Sequence, residues 1–170
     1  MTRLLWLLLT LAAAACAPTF DWRESGVADG IQARFPCRPL TQTRPLVLAG
    51  IAVDFELRSC QAGGLTFALA SADLRDPYKT AAALGELAAG MHRGWQTSVA
   101  QPKTLAIDGV TPHPAAGHWR FVGTRADGQH AFADVSVFVL GTRVVRATVT
   151  GERGDVDAIE TFQTGIRIQR

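Results

Sequence analysis

Lysine is nearly absent from this 170-residue chain: fifteen arginines are accompanied only by Lys79 and Lys103. The arginines stand singly from Arg23 to Arg170, and no two basic residues of this kind adjoin. The formal net charge is +2, of which Arg3 is the only contribution from residues 1–15. A scattered, near-neutral charge of this sort is not the footprint of a nucleic-acid binder, which concentrates Lys and Arg on one face. No DNA or RNA partner is therefore expected. Arginine in place of lysine, with abundant alanine, fits a bacterial gene of high GC content.

Sequence fingerprints of catalysis are missing as well. There is no G-x-S-x-G elbow, H-E-x-x-H helix, P-loop or G-x-G-x-x-G turn. Ser25, Ser59, Ser71, Ser98 and Ser136 have no neighbourhood that marks a nucleophile. Asp54 and Glu56 share one face of an alternating stretch, where paired carboxylates could serve acid–base work. On an amphipathic strand they read instead as solvent-side residues. Of His92, His113, His118 and His130, only His113 and His118 stand close, five apart across Pro-Ala-Ala-Gly. Zinc sites normally add closer-spaced pairs and cysteine or carboxylate ligands, so surface histidines are the better account. The expectation is no enzyme, no metal and no cofactor.

Long apolar runs are lacking too. The one candidate starts after Met1-Thr2-Arg3 and runs from Leu4 to Leu11, interrupted only by Thr10, then through four alanines to Cys16. A membrane-spanning helix needs about 20 such residues, and this run has about a dozen. A basic start, a short apolar middle and a small-residue end are the parts of a secretory signal peptide. Ala13 and Ala15 suit ordinary signal peptidase, which would leave Cys16 as a plain N-terminal residue. Ala13-Ala14-Ala15-Cys16 also resembles the lipobox of bacterial lipoproteins, although that pattern prefers leucine where Ala13 stands. In that reading residues 1–15 are a lipoprotein signal peptide and Cys16 is acylated, which attaches the protein to a membrane.

Cysteine is scarce, and its count favours the second reading. The chain has Cys16, Cys37 and Cys60. Exported cysteines usually pair, and an odd one needs its own explanation. A Cys37–Cys60 disulfide with a lipidated Cys16 accounts for all three. Both Cys37 and Cys60 follow alternating stretches, at "FPC" and "RSC". Neighbouring strands lie about 4.8 Å apart and bridged Cα atoms about 4.4–6.8 Å apart, so the geometry is available. Ala17 stands where an inner-membrane retention signal would have aspartate, which favours the periplasmic face of an outer membrane.

What is present is a compact α+β pattern. Residues 16–29 read as lipidated N-terminus and tether, and residues 30–170 as one domain. Ile31, Ala33 and Phe35 alternate with polar residues until Pro36. The stretch "IAVDFELRSC" (51–60) alternates again, and Gly63-Gly64 turns it into "LTFALASA". Asp76 and Pro77 open a helix with Leu84, Leu87, Ala88, Met91 and Trp95 on one face. Leu105 and Ile107 then suggest a strand before the Asp108-Gly109 turn. "GHWRFVGT" follows, then "HAFADVSVFVL", apolar on both faces and hence central, and then "RVVRATVTG". Asp155 opens a second helix with Val156, Ile159 and Phe162, and "GIRI" closes the chain. Antiparallel strands with helices laid on them make a layered α+β domain.

Three pieces together, Phe35-Pro36, the capped helix from Pro77 and "AIETFQTGIRI" (Ala158 to Ile168), resemble the PsbP-like superfamily. Coverage is residues 30–169. The closing helix keeps part of that family's "FxxSF" ending, in Ile159 and Thr161-Phe162. The superfamily includes photosystem accessory proteins, Ran-binding Mog-type proteins and small bacterial envelope lipoproteins. The resemblance implies a twisted antiparallel sheet flanked by helices, an α/β/α sandwich, and mostly non-enzymatic roles. The expected function is thus a non-catalytic bacterial envelope lipoprotein acting as an accessory or protein-docking module on another envelope protein. The alternative is a small-molecule or lipid binder with a pocket between sheet and helix. A hydrolase with an unrecognised site is the third reading, which clustered titratable groups would favour.

Overall fold

The computed structural model describes residues 18–28, 30–93 and 95–169. Residues 1–15 and Cys16, which carry the signal-peptide and lipidation readings, lie outside the described residues. Strands β1 (Arg23–Ala28), β2 (Ile31–Phe35), β3 (Leu40–Leu48), β4 (Ile51–Ala62) and β5 (Leu65–Asp73) come first. Helix α1 (Thr80–Ala89) follows. Strands β6 (Trp95–Lys103), β7 (Gly117–Arg125), β8 (His130–Leu140) and β9 (Arg143–Gly151) lead to helix α2 (Val156–Thr164) and the short β10 (Arg167–Ile168).

The strands form two antiparallel sheets. The larger has the order β3-β4-β5-β9-β8-β7-β6 and the smaller β1-β2-β10. The α+β expectation holds at this level. The α/β/α sandwich does not describe the molecule well, because β-sheet dominates and one flanking layer is itself partly sheet. Helix α1 covers one face of the large sheet, where Ala83, Leu84 and Leu87 meet Ala72, Val137, Val139 and Val144. The small sheet and α2 cover the other face, where Phe35, Phe67, Phe138 and Phe162 form the centre of a second core. The Phe162 ring stands 5.4 Å from both Phe35 and Phe67, centroid to centroid, in tilted edge contacts. Nine consecutive buried residues in β8, Ala131–Val139, reflect this cover on both sides.

Local chemistry explains most element ends. Asp76 accepts a hydrogen bond from the Tyr78 N–H at 2.9 Å and caps a single 3-10 turn, Pro77–Lys79, that feeds α1. The α-helix ends at Ala89, sooner than the apolar spacing suggests: Met91 sits in a 3-10 turn, Gly90–His92, and Trp95 already belongs to β6. Asp155 accepts from the Ala158 N–H at 3.0 Å and caps α2.

Four segments differ from the sequence reading. Residues 23–28, expected as tether, form β1, which pairs with β2 from Arg23↔Phe35 to Ala28↔Ile31. Ahead of β1, Phe20 and Trp22 pack on Phe67. The edge strands β3 and β6 carry no apolar alternation because solvent reaches both of their faces along most of their length. Each contains a proline, Pro45 or Pro102, a residue that sheet edges tolerate and centres do not. Leu105 and Ile107 lie in no strand. They belong to an irregular loop that crosses to the β8–β9 turn, where the Thr111 N–H donates to the Val139 carbonyl at 2.8 Å.

Cys37 and Cys60 form a disulfide with Cα atoms 6.0 Å apart. Cys37 follows β2 of the small sheet and Cys60 lies in β4 of the large one, so the bridge fastens the two layers together. No described helix is long and apolar enough to cross a membrane.

Candidate functional site

The side chains that converge most tightly are on the face of the large sheet beneath α2. In β7 and β8 the residues opposite each other include His118↔Ser136 and Arg120↔Asp134. Alternation places all four on one face, so two polar cross-strand pairs stack along the ladder. Asp134 is fully buried, at 0% exposure. An ionised carboxylate there is tolerable only if it is paired and hydrogen-bonded.

That requirement is met completely. Asp134 Oδ1 is 2.6 Å from His118 Nε2 and accepts from Gln163 Nε2 at 2.9 Å. Asp134 Oδ2 accepts from Arg120 Nε at 2.9 Å, and the terminal Arg120 nitrogen lies at the same distance. Gln163 reaches down from α2 and in turn accepts the Ser136 hydroxyl proton at 2.9 Å. Its amide thus ties helix to sheet through one carboxylate and one hydroxyl. Burial alone would push the Asp134 carboxyl upward. Hydrogen bonds and charge from His118, and then from Arg120, outweigh this and hold it below the usual carboxylate range.

Above the network lies an open cleft of about 380 Å³ between α2 and the segment that follows β6. Lys103, His118, Arg120, Ser136, Glu160 and Gln163 supply its polar lining, and Ile107, Val156 and Ile159 much of its apolar part. A smaller hollow of about 250 Å³ shares Arg120, Val156 and Ile159 and extends the apolar part toward Val122 and Phe132. Lys103 forms no ion pair among the described residues. Arg120 keeps donors beyond those directed at Asp134. The cleft therefore offers the cationic donors Lys103 and Arg120, with Glu160 as the one carboxylate of its lining, beside a hydrophobic wall. Concave sites with a few convergent polar groups are the usual form of small-molecule pockets.

Despite containing Ser, His and Asp, the cluster has no nucleophile–base pair. A triad needs one imidazole nitrogen facing the hydroxyl and the other facing the carboxylate. Here His118 Nε2 faces Asp134 and Nδ1 faces the Thr104 carbonyl at 3.3 Å. Ser136 is 1% exposed and donates to Gln163. The chemistry on offer is recognition by fixed donors.

The other candidate residues go elsewhere. His113 Nδ1 accepts from the Ala115 N–H at 3.1 Å and shapes its own loop, so His113 and His118 do separate jobs. Asp54 is exposed, and Glu56 pairs with Arg58 at 2.9 Å. Among the described residues, no three His, Cys, Asp or Glu side chains are grouped to hold a metal ion. Asp134, Arg120 and Gln163 were not singled out from sequence. The available signal was a lone aspartate in a strand apolar on both faces, which must find partners inside the protein, with Arg120 and His118 two apart in the preceding strand. No protein-family model matches the chain, and the searches of curated proteins and of solved structures likewise found no match.

Proposed function

We propose that this protein is a lipid-anchored module of the bacterial envelope, and that it binds a small, acceptor-bearing organic molecule such as a carboxylic acid. The cleft over Asp134 is the observation that carries the reading. Its floor is held rigid by a satisfied network, and its rim presents the unpaired Lys103 ammonium beside Ile107 and Ile159. A preorganised donor set of this kind spares the ligand the entropy of ordering the site. The ligand's carboxylate engages Lys103 and the spare Arg120 donors, while its carbon skeleton lies on the apolar wall.

The anchor is Cys16, facing the periplasm, with the outer membrane favoured. Asp21 already donates its N–H to the Pro36 carbonyl at 2.8 Å. Five residues from Cys16 to Asp21 span at most about 18 Å, so lipidation at Cys16 would hold the domain close to the bilayer. In the wider PsbP-like reading, the sheet flanked by α1 and α2 is the shared scaffold.

Docking on an envelope protein is the second reading. It is favoured by Val99, Val122 and Val156, which are 65%, 51% and 60% exposed. Val99 and Val122 face each other across β6 and β7, and Val122 and Val156 line the smaller hollow beside the cleft. The two readings separate in one experiment. The protein is extracted from membranes without denaturant for native mass spectrometry, and the same sample is titrated with a panel of small organic acids. Ligand binding predicts a co-purifying small molecule or a saturable acid that Lys103→Glu weakens at least 10-fold. No acid binding, together with a cross-linked protein partner trapped through Val99 or Val122, would replace it with the docking reading.

A further inference from the structure

The opposite face of the large sheet carries a second, independent feature. Arg146 in β9 points to the α1 side, as its neighbour Val144 does when it packs on that helix. Arg146 is half-buried, and its Nε is closed off from solvent with no hydrogen-bond partner. Arg93, just after the turn that ends α1, lines the same cleft. Neither arginine forms an ion pair among the described residues. Glu86 also lines the cleft, but its Oε2 accepts the Ala49 N–H at 3.0 Å and holds the β3–β4 turn.

The energetics are unusual. A guanidinium stays charged in proteins, so a half-buried one with no ion-pair partner among the described residues is a charge only partly compensated by solvent. Burial, and secondarily the like charge of Arg93, push the Arg146 guanidinium below its usual range. Both effects would be relieved by an anion between the two arginines. Apart from Glu86, held by the β3–β4 turn, the rest of the cleft is apolar: Leu46, Leu48, Phe55 and Leu87 line a volume of about 710 Å³ that opens from the arginines toward the β3 edge. A second hollow of about 170 Å³, with Met91 and Trp95, shares the same two arginines from the other side.

We propose that the cleft between α1 and the large sheet, with Arg93 and Arg146 at its head, is a binding site for a single-chain anionic amphiphile. The head group is a carboxylate or phosphate, which the arginine forks grip bidentately. The chain lies along Leu46, Leu48, Phe55 and Leu87. A free inorganic anion would leave those walls wet, and an uncharged chain would leave Arg146 unpaired. This site does not depend on the cleft over Asp134, and the two can fail separately.

The test is calorimetric titration of the full chain carrying Cys16→Ser, which avoids detergent. The probes are sodium laurate, monododecyl phosphate, dodecanol and inorganic phosphate. Saturable binding of laurate or dodecyl phosphate is expected, and whichever binds more tightly identifies the head group. Arg146→Met and Arg93→Met should each weaken it roughly 10- to 100-fold, and Arg93→Lys, which keeps the charge but loses the fork, should weaken it less than Arg93→Met. Arg93 is exposed, so Arg93→Met keeps the test valid should Arg146→Met fail to fold. The proposal is overturned if neither anionic amphiphile saturates, if dodecanol or inorganic phosphate binds as tightly, or if Arg93→Met leaves affinity unchanged.

Discussion

Replacing Asp134 with asparagine changes shape little and removes one buried charge. In the native protein that charge receives hydrogen bonds from His118, Arg120 and Gln163 at 2.6–2.9 Å. Asparagine keeps one acceptor oxygen and turns an NH2 toward groups that are themselves donors. Breaking a buried pair from one side costs about 3–5 kcal/mol, because the remaining charge is stranded. The His118 and Arg120 side chains retain 14% and 24% exposure, enough for partial rehydration, so the low end applies. A loss of about 3 kcal/mol corresponds to a drop in Tm of roughly 6–12 °C for a chain of this size. Acid provides the second axis. The native Asp134 carboxyl is held below the usual range, whereas in the unfolded chain it titrates near 3.9. Its stabilising contribution is therefore complete above about pH 5 and fades as pH falls through the native value. Urea unfolding followed by tryptophan fluorescence from pH 7 to pH 3 should show the gap between wild type and Asp134→Asn closing toward acid. Asp134→Asn combined with Arg120→Met should lose less than the two single changes added together, since the guanidinium is then not stranded. A gap under 1 kcal/mol at pH 7, or one that stays constant to pH 3, would refute this account of the network.

Reducing the Cys37–Cys60 bridge, which spans a sequence separation of 23, should cost about 3 kcal/mol in the chain-entropy view and lower Tm by roughly 6–12 °C. Thiol counting on denatured, unreduced protein checks the bridge itself, because a free thiol from Cys37 or Cys60 contradicts it. Cys16→Ser should move the protein from the membrane to the soluble envelope fraction. Metabolic labelling with palmitate should mark the wild type only, and an unlabelled wild type rejects the anchor. Gly123→Ala should unfold or severely weaken the β6 edge, since a Cβ there would stand 1.9 Å from the Thr97 carbonyl oxygen. Amide exchange across β6 and β7 reads this directly, and unchanged protection would contradict the close approach.

What could be read in the sequence, and what could not, follows from which faces are wet. Strands with one covered face, such as β2 with its strict buried–half-buried alternation, announce themselves at period two. So do the helix starts, because Asp76 and Asp155 satisfy N–H groups that the helix cannot. An edge strand such as β3 has no such pattern. Its place in the sheet comes from main-chain pairing with β4 over nine registered positions, Leu40↔Ser59 to Leu48↔Ile51. Main-chain pairing is nearly blind to side-chain identity, so propensity carries little information there. The candidate site was hidden for a different reason. Its residues come from β7, β8 and α2, and they meet only after register fixes Arg120 opposite Asp134 and the helix lowers Gln163 onto both. What the sequence does contain is the demand. An aspartate between Phe132 and Phe138, in a strand covered on both sides, cannot remain ionised alone. Its partners had to be cationic or donor side chains on a neighbouring strand, facing the same layer. In β7 the residues of that parity include His118 and Arg120. The β7–β8 register thus points to His118 and Arg120 as those partners, but neither to Gln163, which arrives from α2, nor to the cleft above, whose roof is the irregular loop after β6 and the face of α2.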